Sequence, residues 1–204
     1  MQKTSFFIDG FNLYHSLNDN LNLNKYKWLD IKKLCYCFIK DQKAVHNIYY
    51  FTALATWNPE KVKRHKKFIH IQEYNGINVV YGEFRRKTKK CCHCKKIIKT
   101  FEEKETDVNI AINLFEFAYK DLYNTAMIIS GDSDLIPAIR AVRKNFPSKE
   151  ICVIIPPGRR AELLKKEADY YKKIKTKHLQ WSRLPSKIVI GNDNVIECPQ
   201  KWKT

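Results

Sequence analysis

The sequence predicts an α/β fold in which helices cover both faces of an open, mainly parallel sheet. Short β-rich runs alternate with helix-length amphipathic runs along the 204 residues, which is the pattern of βαβ units. The hydrophobic content of 44% and the aromatic content of 13% are sufficient for a buried core. The length favours one domain with added segments over two separate domains.

Five short runs of β-branched, aliphatic and aromatic residues are predicted as buried strands. They cover residues 5–8, 46–51, 77–81, 125–129 and 151–155. Runs of this kind, separated by helix-length segments, are typical of parallel strands that are covered on both faces.

Three amphipathic segments between these runs are predicted as helices. One extends from about Pro59 to Tyr74, because Pro59 suits the first helical position and Gly76 suits the stop. Another extends from about Asp107 to Lys120, and its helical period predicts a core-facing stripe of Val108, Ala111, Ile112, Phe115, Ala118 and Tyr119. The third follows the fourth strand and has an apolar face formed by Leu135, Ile136, Ile139 and Val142.

Two segments depart from this alternation. Residues 84–104 form an insertion rich in lysine and cysteine, and the tail ends in a predicted β-hairpin over residues 187–190 and 195–197. We therefore expect one domain over residues 1–175, interrupted by the insertion at 84–104, and a C-terminal extension over residues 176–204.

The charge balance favours a polyanionic partner. Lys and Arg number 38 against 21 Asp and Glu, which gives a net charge of +17. Such an excess is typical of proteins that bind nucleic acid, and it disfavours a regulator that binds a small ligand on the same sheet. The sequence has no apolar run near the roughly 20 residues of a membrane span and no secretory signal, so we expect a cytoplasmic protein.

Acidic residues follow the strands that a parallel sheet would place side by side. Asp9 comes directly after the first strand, Asp132 and Asp134 come after the fourth, and Asp107 opens the helix before the fourth. If the first and fourth strands are neighbours, these carboxylates converge beyond the carboxyl ends of the strands. An all-oxygen cluster suits Mg²⁺ or Mn²⁺, which can activate water for attack on a phosphate. The ordinary alternative for each aspartate is that it only caps the following helix.

Three segments resemble, in order, the motifs of the NYN-domain family within the PIN-like nuclease superfamily. They are residues 7–13 (FIDGFNL), 103–111 (EKETDVNIA) and 129–137 (ISGDSDLIP), and the likeness to the LabA-like bacterial branch covers about residues 4–175. The resemblance implies a three-layer α/β/α PIN-like fold and metal-dependent hydrolysis of RNA phosphodiester bonds. It implies metal binding by Asp9, Asp107, Asp132 and Asp134, with Asn12 and Ser130 in supporting catalytic roles.

One residue departs from the family pattern. Asn113 stands where family members often carry a further aspartate, and an amide brings no charge to hold a second cation. The number of metal ions therefore stays open. The alternative function is a nucleic-acid-binding protein of the same fold with a weakened or inactive site.

The insertion contains a candidate zinc half-site. Cys91 and Cys94 have the spacing of two ligands of a tetrahedral site, so structural Zn²⁺, unpaired thiols and a disulfide all stay open. His93, Cys92 or a second subunit would supply the missing ligands, which leaves a homodimer open. Because the insertion has few apolar residues, burial cannot order it, and we expect it to stay mobile or to bind a metal.

Basic residues surround the predicted acidic site in the sequence. Residues 60–104 hold 14 Lys and Arg against five Glu, a local excess of +9. Trp57 and Phe84 could stack on bases, although packing in the core or rim is the ordinary alternative. The phosphate contacts that we predict are Lys61, Lys63, Arg64, Arg85, Arg86 and Lys104, with Arg140 and Arg143 as further candidates that could equally be helix surface.

Overall fold

The computed structural model describes residues 2–90, 92–191 and 194–203. Ten strands and seven α-helices occur in these residues. The strands are β1 (Thr4–Asp9), β2 (Val45–Thr52), β3 (Asn78–Tyr81), β4 (Glu83–Lys90), β5 (Ile97–Lys104), β6 (Thr125–Ile129), β7 (Glu150–Ile155), β8 (Tyr170–Lys173), β9 (Lys187–Ile190) and β10 (Asn194–Glu197). The helices are α1 (Gly10–Asn18), α2 (Ile31–Tyr36), α3 (Pro59–Tyr74), α4 (Thr106–Tyr119), α5 (Ile136–Asn145), α6 (Glu162–Glu167) and α7 (Thr176–Trp181).

Six strands form one sheet in the order β3-β2-β1-β6-β7-β8, and every pair in it is parallel. β1 and β6 are neighbours, which is the arrangement that the convergence of the acidic residues requires. The predicted α/β fold with a mainly parallel sheet is confirmed. The sixth strand, β8, was not predicted, because Tyr170–Lys173 is a short, polar and largely exposed edge strand.

Alternate residues of the sheet pack into two hydrophobic layers. On β1, Phe6 and Ile8 join a cluster with residues of α1 and α3, whereas Phe7 joins a cluster with residues of α4 and α5. Side chains on a strand point to opposite faces in turn, so this division places helices on both sides of the sheet. The result is the predicted three-layer arrangement.

Helix α3 begins and ends where the sequence predicts. The side chain of Asn58 accepts a hydrogen bond from the Lys61 backbone N–H, and Pro59 occupies the first turn. The chain leaves the helix at Gly76, whose φ of +83° favours glycine.

Helix α4 buries a different face from the predicted one. Ile110, Leu114 and Ala118 pack against the sheet and are buried. Four residues of the predicted core stripe are instead exposed: Val108 (59%), Ile112 (55%), Phe115 (38%) and Tyr119 (75%). The prediction was wrong for these four because the helix carries two apolar stripes. A helical period alone does not determine which of two such stripes faces the core.

The insertion forms a two-stranded antiparallel ribbon, β4–β5, in which Glu83 pairs with Lys104. Hydrogen bonds between the two strands therefore order the segment. From the sequence, only burial and metal binding were considered as ways to order it. The ribbon contacts the body through Phe101, whose ring stacks on Trp57 with 3.8 Å between centroids. Cys91 lies outside the described residues, and Cys92 and Cys94 carry exposed free thiols. The zinc half-site thus stays a prediction.

The C-terminal extension packs on the α1 and α3 side of the sheet. Leu179, Leu184 and Trp202 are buried in the same cluster as α1 and α3 residues, and the Trp202 ring lies 6.0 Å from that of Trp28. Strands β9 and β10 form the predicted hairpin, although residues 192–193 of its turn lie outside the described residues. Within the described part of the chain, we find no helix with the length and apolar character of a membrane span.

Candidate active site

The carboxyl ends of β1 and β6 lie side by side and carry the first group of polar side chains. Asp9, the last residue of β1, is only 4% exposed. Its Oδ2 accepts a hydrogen bond from the Ser130 hydroxyl at 2.9 Å, and its Oδ1 accepts one from the Asn12 backbone N–H at 2.9 Å. Asp9 therefore caps α1, as the ordinary alternative expects, and is also held against the end of β6.

Asn12 and Ser130 fix the loop that follows β6. The Asn12 side-chain oxygen accepts a hydrogen bond from the Gly131 backbone N–H at 2.9 Å. The Asp132 backbone N–H donates to the Ser130 hydroxyl oxygen at 3.0 Å. These contacts join the start of α1 to the loop, so Asn12 and Ser130 position the neighbouring acidic residues.

The other three predicted aspartates are more accessible than Asp9. The side chain of Asp132 accepts a hydrogen bond from the Asp134 backbone N–H at 3.0 Å and caps the short 3₁₀ helix Ser133–Leu135. Asp132 is half-buried, whereas Asp134 and Asp107, in the first turn of α4, are exposed.

Acidic residues from separate segments raise one another's pKa values. The pKa of Asp9 is raised to about 6, mainly because the carboxyl is buried, and the charges of Asp107 and Asp132 also raise it. Desolvation of its carboxyl group also raises the pKa of Asp107, although the residue as a whole is exposed, and the charges of Asp132 and Asp134 raise it further. Effects of this kind come from like charges near one another, which is consistent with the placement of Asp9 and Asp132 at the ends of the neighbouring strands β1 and β6.

Glu103 is a fifth acidic residue of this site, and sequence reasoning gave it no role. It lies on β5, and burial raises its pKa to about 7, with further contributions from Asp9 and Asp107. Its Oε1 is buried and forms no hydrogen bond of ordinary geometry, although the nearby Thr106 hydroxyl partly lowers the pKa of the carboxyl. Glu103 is the first residue of the second motif. The sequence did not predict that it lies on a two-stranded ribbon or that it faces the sheet edge.

The donor chemistry of this site fits a hard divalent cation. All five acidic side chains offer oxygen, their charges repel one another, and the buried Oε1 of Glu103 lacks a partner. No three His, Cys, Asp or Glu side chains within the described ranges 2–90, 92–191 and 194–203 are already grouped as a metal site. A cation would therefore have to draw the carboxylates closer together.

Asn113 does not take over the role of the aspartate that family members often carry at this position. Its amide nitrogen donates to the Asn109 backbone carbonyl at 2.8 Å, one turn earlier in α4. The side chain thus satisfies its own helix and adds no charge to the site.

The predicted phosphate contacts fall into two groups. Lys61 and Arg64 line a cavity beside the site, and Lys63 and Arg86 are exposed. The other four form ion pairs: Arg85 with Glu83 and Glu105, Lys104 with Glu102 at 3.4 Å, Arg140 with Glu167 at 2.6 Å, and Arg143 with Asp169 at 3.0 Å.

Arg159 is a cation near the site that the sequence did not single out. It follows β7, and its side chain packs so closely over Gly131 that a Cβ on Gly131 would lie 2.8 Å from the Arg159 Cβ. Its guanidinium reaches Asp19 at 3.3 Å, while its buried Nε has no hydrogen-bond partner. Arg159 therefore places a positive charge next to the loop that holds Asp132.

Comparisons with known proteins bear on the family and on the fold. The family model described as the NYN domain matches residues 3–175. The chain is similar to 6-hydroxy-3-succinoylpyridine 3-monooxygenase HspA of Pseudomonas putida, with 23% identity over 240 residues, covering 98% of this chain and 75% of that protein. It also resembles the crystal structure of VPA0982, a protein of unknown function from Vibrio parahaemolyticus, with a TM-score of 0.60 and 19% identity. That match covers 85% of this chain and 93% of the other, and at this identity it shows the fold alone.

Proposed function

The chain belongs to the NYN-domain family, a family of PIN-like nucleases, and on that premise we propose that it is a metal-dependent ribonuclease. The observation that supports this best is the convergence of Asp9, Asp107 and Asp132, from three separate segments, in a chain of net charge +17. Carboxylates that lie close together repel one another, and a bound cation neutralises that repulsion. We assign the nuclease domain to residues 1–175.

The carboxylates have distinct roles in this proposal. Mg²⁺ or Mn²⁺ would be held by Asp9, Asp107, Asp132 and Asp134, with Glu103 as an additional ligand or proton acceptor. When bound, such an ion supplies positive charge to the scissile phosphate and lowers the pKa of a nearby water. Ser130 and Asn12 keep Asp9 in place through their hydrogen bonds. Because the pKa of Glu103 is about 7, its Oε1 can accept a proton near neutral pH.

The basic side chains bind the polyanion around the acidic edge. Lys61, Lys63, Arg64 and Arg86 are the candidates that form no ion pair within the described part of the chain, so their charges remain available for phosphates. Arg159 adds a further charge beside Gly131. We propose RNA as the substrate, and not DNA, because the resemblance to the family implies RNA.

The second candidate function is binding of nucleic acid without cleavage. Two observations favour it: no three acidic side chains are grouped as a metal site within residues 2–90, 92–191 and 194–203, and the Asn113 amide is bonded to its own helix. A protein of this kind would bind RNA with strong salt dependence in EDTA and leave it intact with any metal.

The test uses one RNA and one DNA of the same sequence, each labelled at one end. Each is incubated with the parent protein, with Asp132→Asn or with Asp41→Asn. Every protein is tested in Mg²⁺, in Mn²⁺ and in EDTA. Asp41 is a matched control, because it is exposed and precedes β2 at the opposite, amino edge of the sheet. We expect cleavage of RNA by the parent and by Asp41→Asn, only with metal, and none by Asp132→Asn. Binding without cleavage under every condition would support the second candidate instead.

A further inference from the structure

A cavity of about 290 Å³ opens beside the acidic edge. It lies between α1, the end of β2, α3 and the β4–β5 ribbon, and Gly10, directly after Asp9, forms part of its wall. A Cβ on Gly10 would lie 2.6 Å from the Tyr50 ring and 2.7 Å from its hydroxyl, so only glycine allows this close packing. The cavity therefore begins one residue from the candidate metal ligands.

The walls of the cavity are mostly aromatic and apolar. Phe84 contacts Phe11 and Trp57 edge to face, with ring centroids 5.3 Å and 4.7 Å apart. Phe101 covers one face of Trp57. Burial lowers the pKa of His65 to about 4, so the His65 ring is uncharged at neutral pH. Aromatic walls of this kind suit a flat ring, which can stack against them.

The rim of the cavity is positively charged. Lys27, Lys61 and Arg64 line it, and neither Lys61 nor Arg64 forms an ion pair within the described residues. Lys27 donates to the Asn18 side-chain oxygen at 2.7 Å and lies 5.3 Å from the centre of the Tyr14 ring. Cations over an aromatic cavity match a ligand that has a flat ring and an attached anion.

On the premise that the chain cleaves nucleic acid, we propose that this cavity binds one unpaired base of the substrate, with an adjoining phosphate on Lys61 and Arg64. The cavity volume lies at the lower end of the range for small-molecule sites, about 300–1,000 Å³, so it suits a single base. A base inside a duplex is stacked and paired on both sides and cannot enter. The substrate is therefore single-stranded, or has an unpaired nucleotide next to the cleaved bond.

The first experiment measures binding by calorimetry to the full chain in EDTA, where no cleavage occurs. The probes are adenosine 5′-monophosphate, ribose 5-phosphate and pyridine-3-carboxylate, which separate the base, the phosphate and a ring acid without ribose. We expect the nucleotide to bind about ten-fold or more tightly than ribose 5-phosphate, because base stacking on an aromatic wall is lost in the latter. Equal binding of these two probes would overturn the proposal, as would tighter binding of pyridine-3-carboxylate.

Variants locate the binding. Phe84→Leu keeps an apolar side chain in the ribbon but removes the aromatic ring, and Arg64→Ala removes a rim charge. Lys66→Ala is the matched control, since Lys66 is exposed on the same helix and does not line the cavity. We expect Phe84→Leu to reduce the preference for the nucleotide over ribose 5-phosphate about ten-fold. Arg64→Ala should weaken both phosphorylated probes, and Lys66→Ala should change neither. A preference that survives in Phe84→Leu would contradict the assignment of this cavity.

A cleavage assay separates this inference from the proposed function. The parent is given a single-stranded RNA and the same RNA annealed to its complement, with Mn²⁺. Cleavage of both at the same rate would overturn the base-binding role and leave the nuclease proposal intact. No cleavage of either, together with tight nucleotide binding in EDTA, would overturn the nuclease proposal and leave a nucleotide-binding cavity.

Discussion

The carboxyl edge of the parallel sheet and the β4–β5 ribbon both bring acidic residues to the candidate site, but they hold them differently. At the edge, Asp9 is buried and both of its oxygens accept hydrogen bonds. On the ribbon, the Oε1 of Glu103 has no partner, and the strands around it are largely exposed. The difference indicates that folding of the core fixes Asp9, whereas Glu103 depends on how the ribbon sits on the body.

The ribbon is attached to the body through aromatic side chains and a close approach at its base. The Trp57 and Phe101 rings stack, and Gly82, which precedes β4, packs so closely on the start of α4 that a Cβ there would lie 2.8 Å from the Thr106 Oγ1. The sheet edge is instead continuous with two hydrophobic layers. Changes in the two regions should therefore affect activity and stability to different extents.

The largest expected effect separates the two kinds of carboxylate. Asp9→Asn should reduce metal-dependent cleavage on the order of a thousand-fold, because it removes a charge from the centre of the site. Glu103→Gln should reduce it only about ten- to a hundred-fold, because four other carboxylates remain to hold the ion. Initial rates in Mn²⁺ measure both. Equal losses would mean that the ribbon carboxylate is as central as the edge carboxylate.

Helix α4 joins the two regions, and its two apolar stripes predict the next largest effect. Leu114→Ala should lower the free energy of unfolding by about 2–5 kcal/mol, because Leu114 is fully buried against the sheet. Ile112→Ala should change it by less than about 0.5 kcal/mol, because Ile112 is 55% exposed. Urea unfolding of both variants measures this. A cost for Ile112→Ala similar to that of Leu114→Ala would contradict the assignment of the buried face.

The raised pKa of Asp9 predicts a pH-dependent stability without metal. Its ordinary value of 3.8 rises to about 6 in the folded chain, so the native state binds more protons than the unfolded state between these values. Stability should therefore fall as the pH rises from about 4 to 6, by about 2–3 kcal/mol from this residue. Asp9→Asn should remove that part of the decline and be more stable than the parent at pH 7. The free energy of unfolding of both proteins is measured in EDTA from pH 4 to 8. A free energy of unfolding that rises with pH in the parent, in parallel with Asp9→Asn, would contradict this prediction.

The smallest effect is expected on the exposed side of the ribbon. Lys87 pairs with Glu102 at 2.7 Å, but both side chains are more than a third exposed to solvent. Lys87→Ala should cost less than about 1 kcal/mol of unfolding free energy and leave cleavage nearly unchanged. A large loss of cleavage in this variant, with a normal unfolding curve, would show that the exposed face of the ribbon also contacts the substrate.

The sheet and its edge could be predicted because their residues follow simple physical rules. Buried strands need continuous apolar runs, and parallel strands bring their carboxyl ends together, so Asp9 and Asp132 could be placed on one edge. Helix α3 was predicted because Pro59 and Gly76 mark its ends. These features depend only on neighbouring residues or on the order of the strands.

Other features depended on contacts that no local pattern contains. The exposed stripe of α4 is as regular as the buried one, so periodicity could not identify Leu114 as the core residue. Glu103 reaches the site only because β5 pairs with β4 and turns back toward the sheet. The cavity beside Gly10 combines residues from six separate segments, and no spacing in the sequence joins them.

The most direct test of the acidic edge is to titrate the protein with Mn²⁺ and to measure binding by calorimetry. The proteins compared are the parent, Asp9→Asn and the control Asp41→Asn. Binding of the ion does not depend on identifying the substrate. We predict that the parent and Asp41→Asn bind Mn²⁺ with the same affinity, and that Asp9→Asn binds it at least ten-fold more weakly. A parent that binds no Mn²⁺, or an Asp9→Asn variant that binds it as tightly as the parent, would contradict the account.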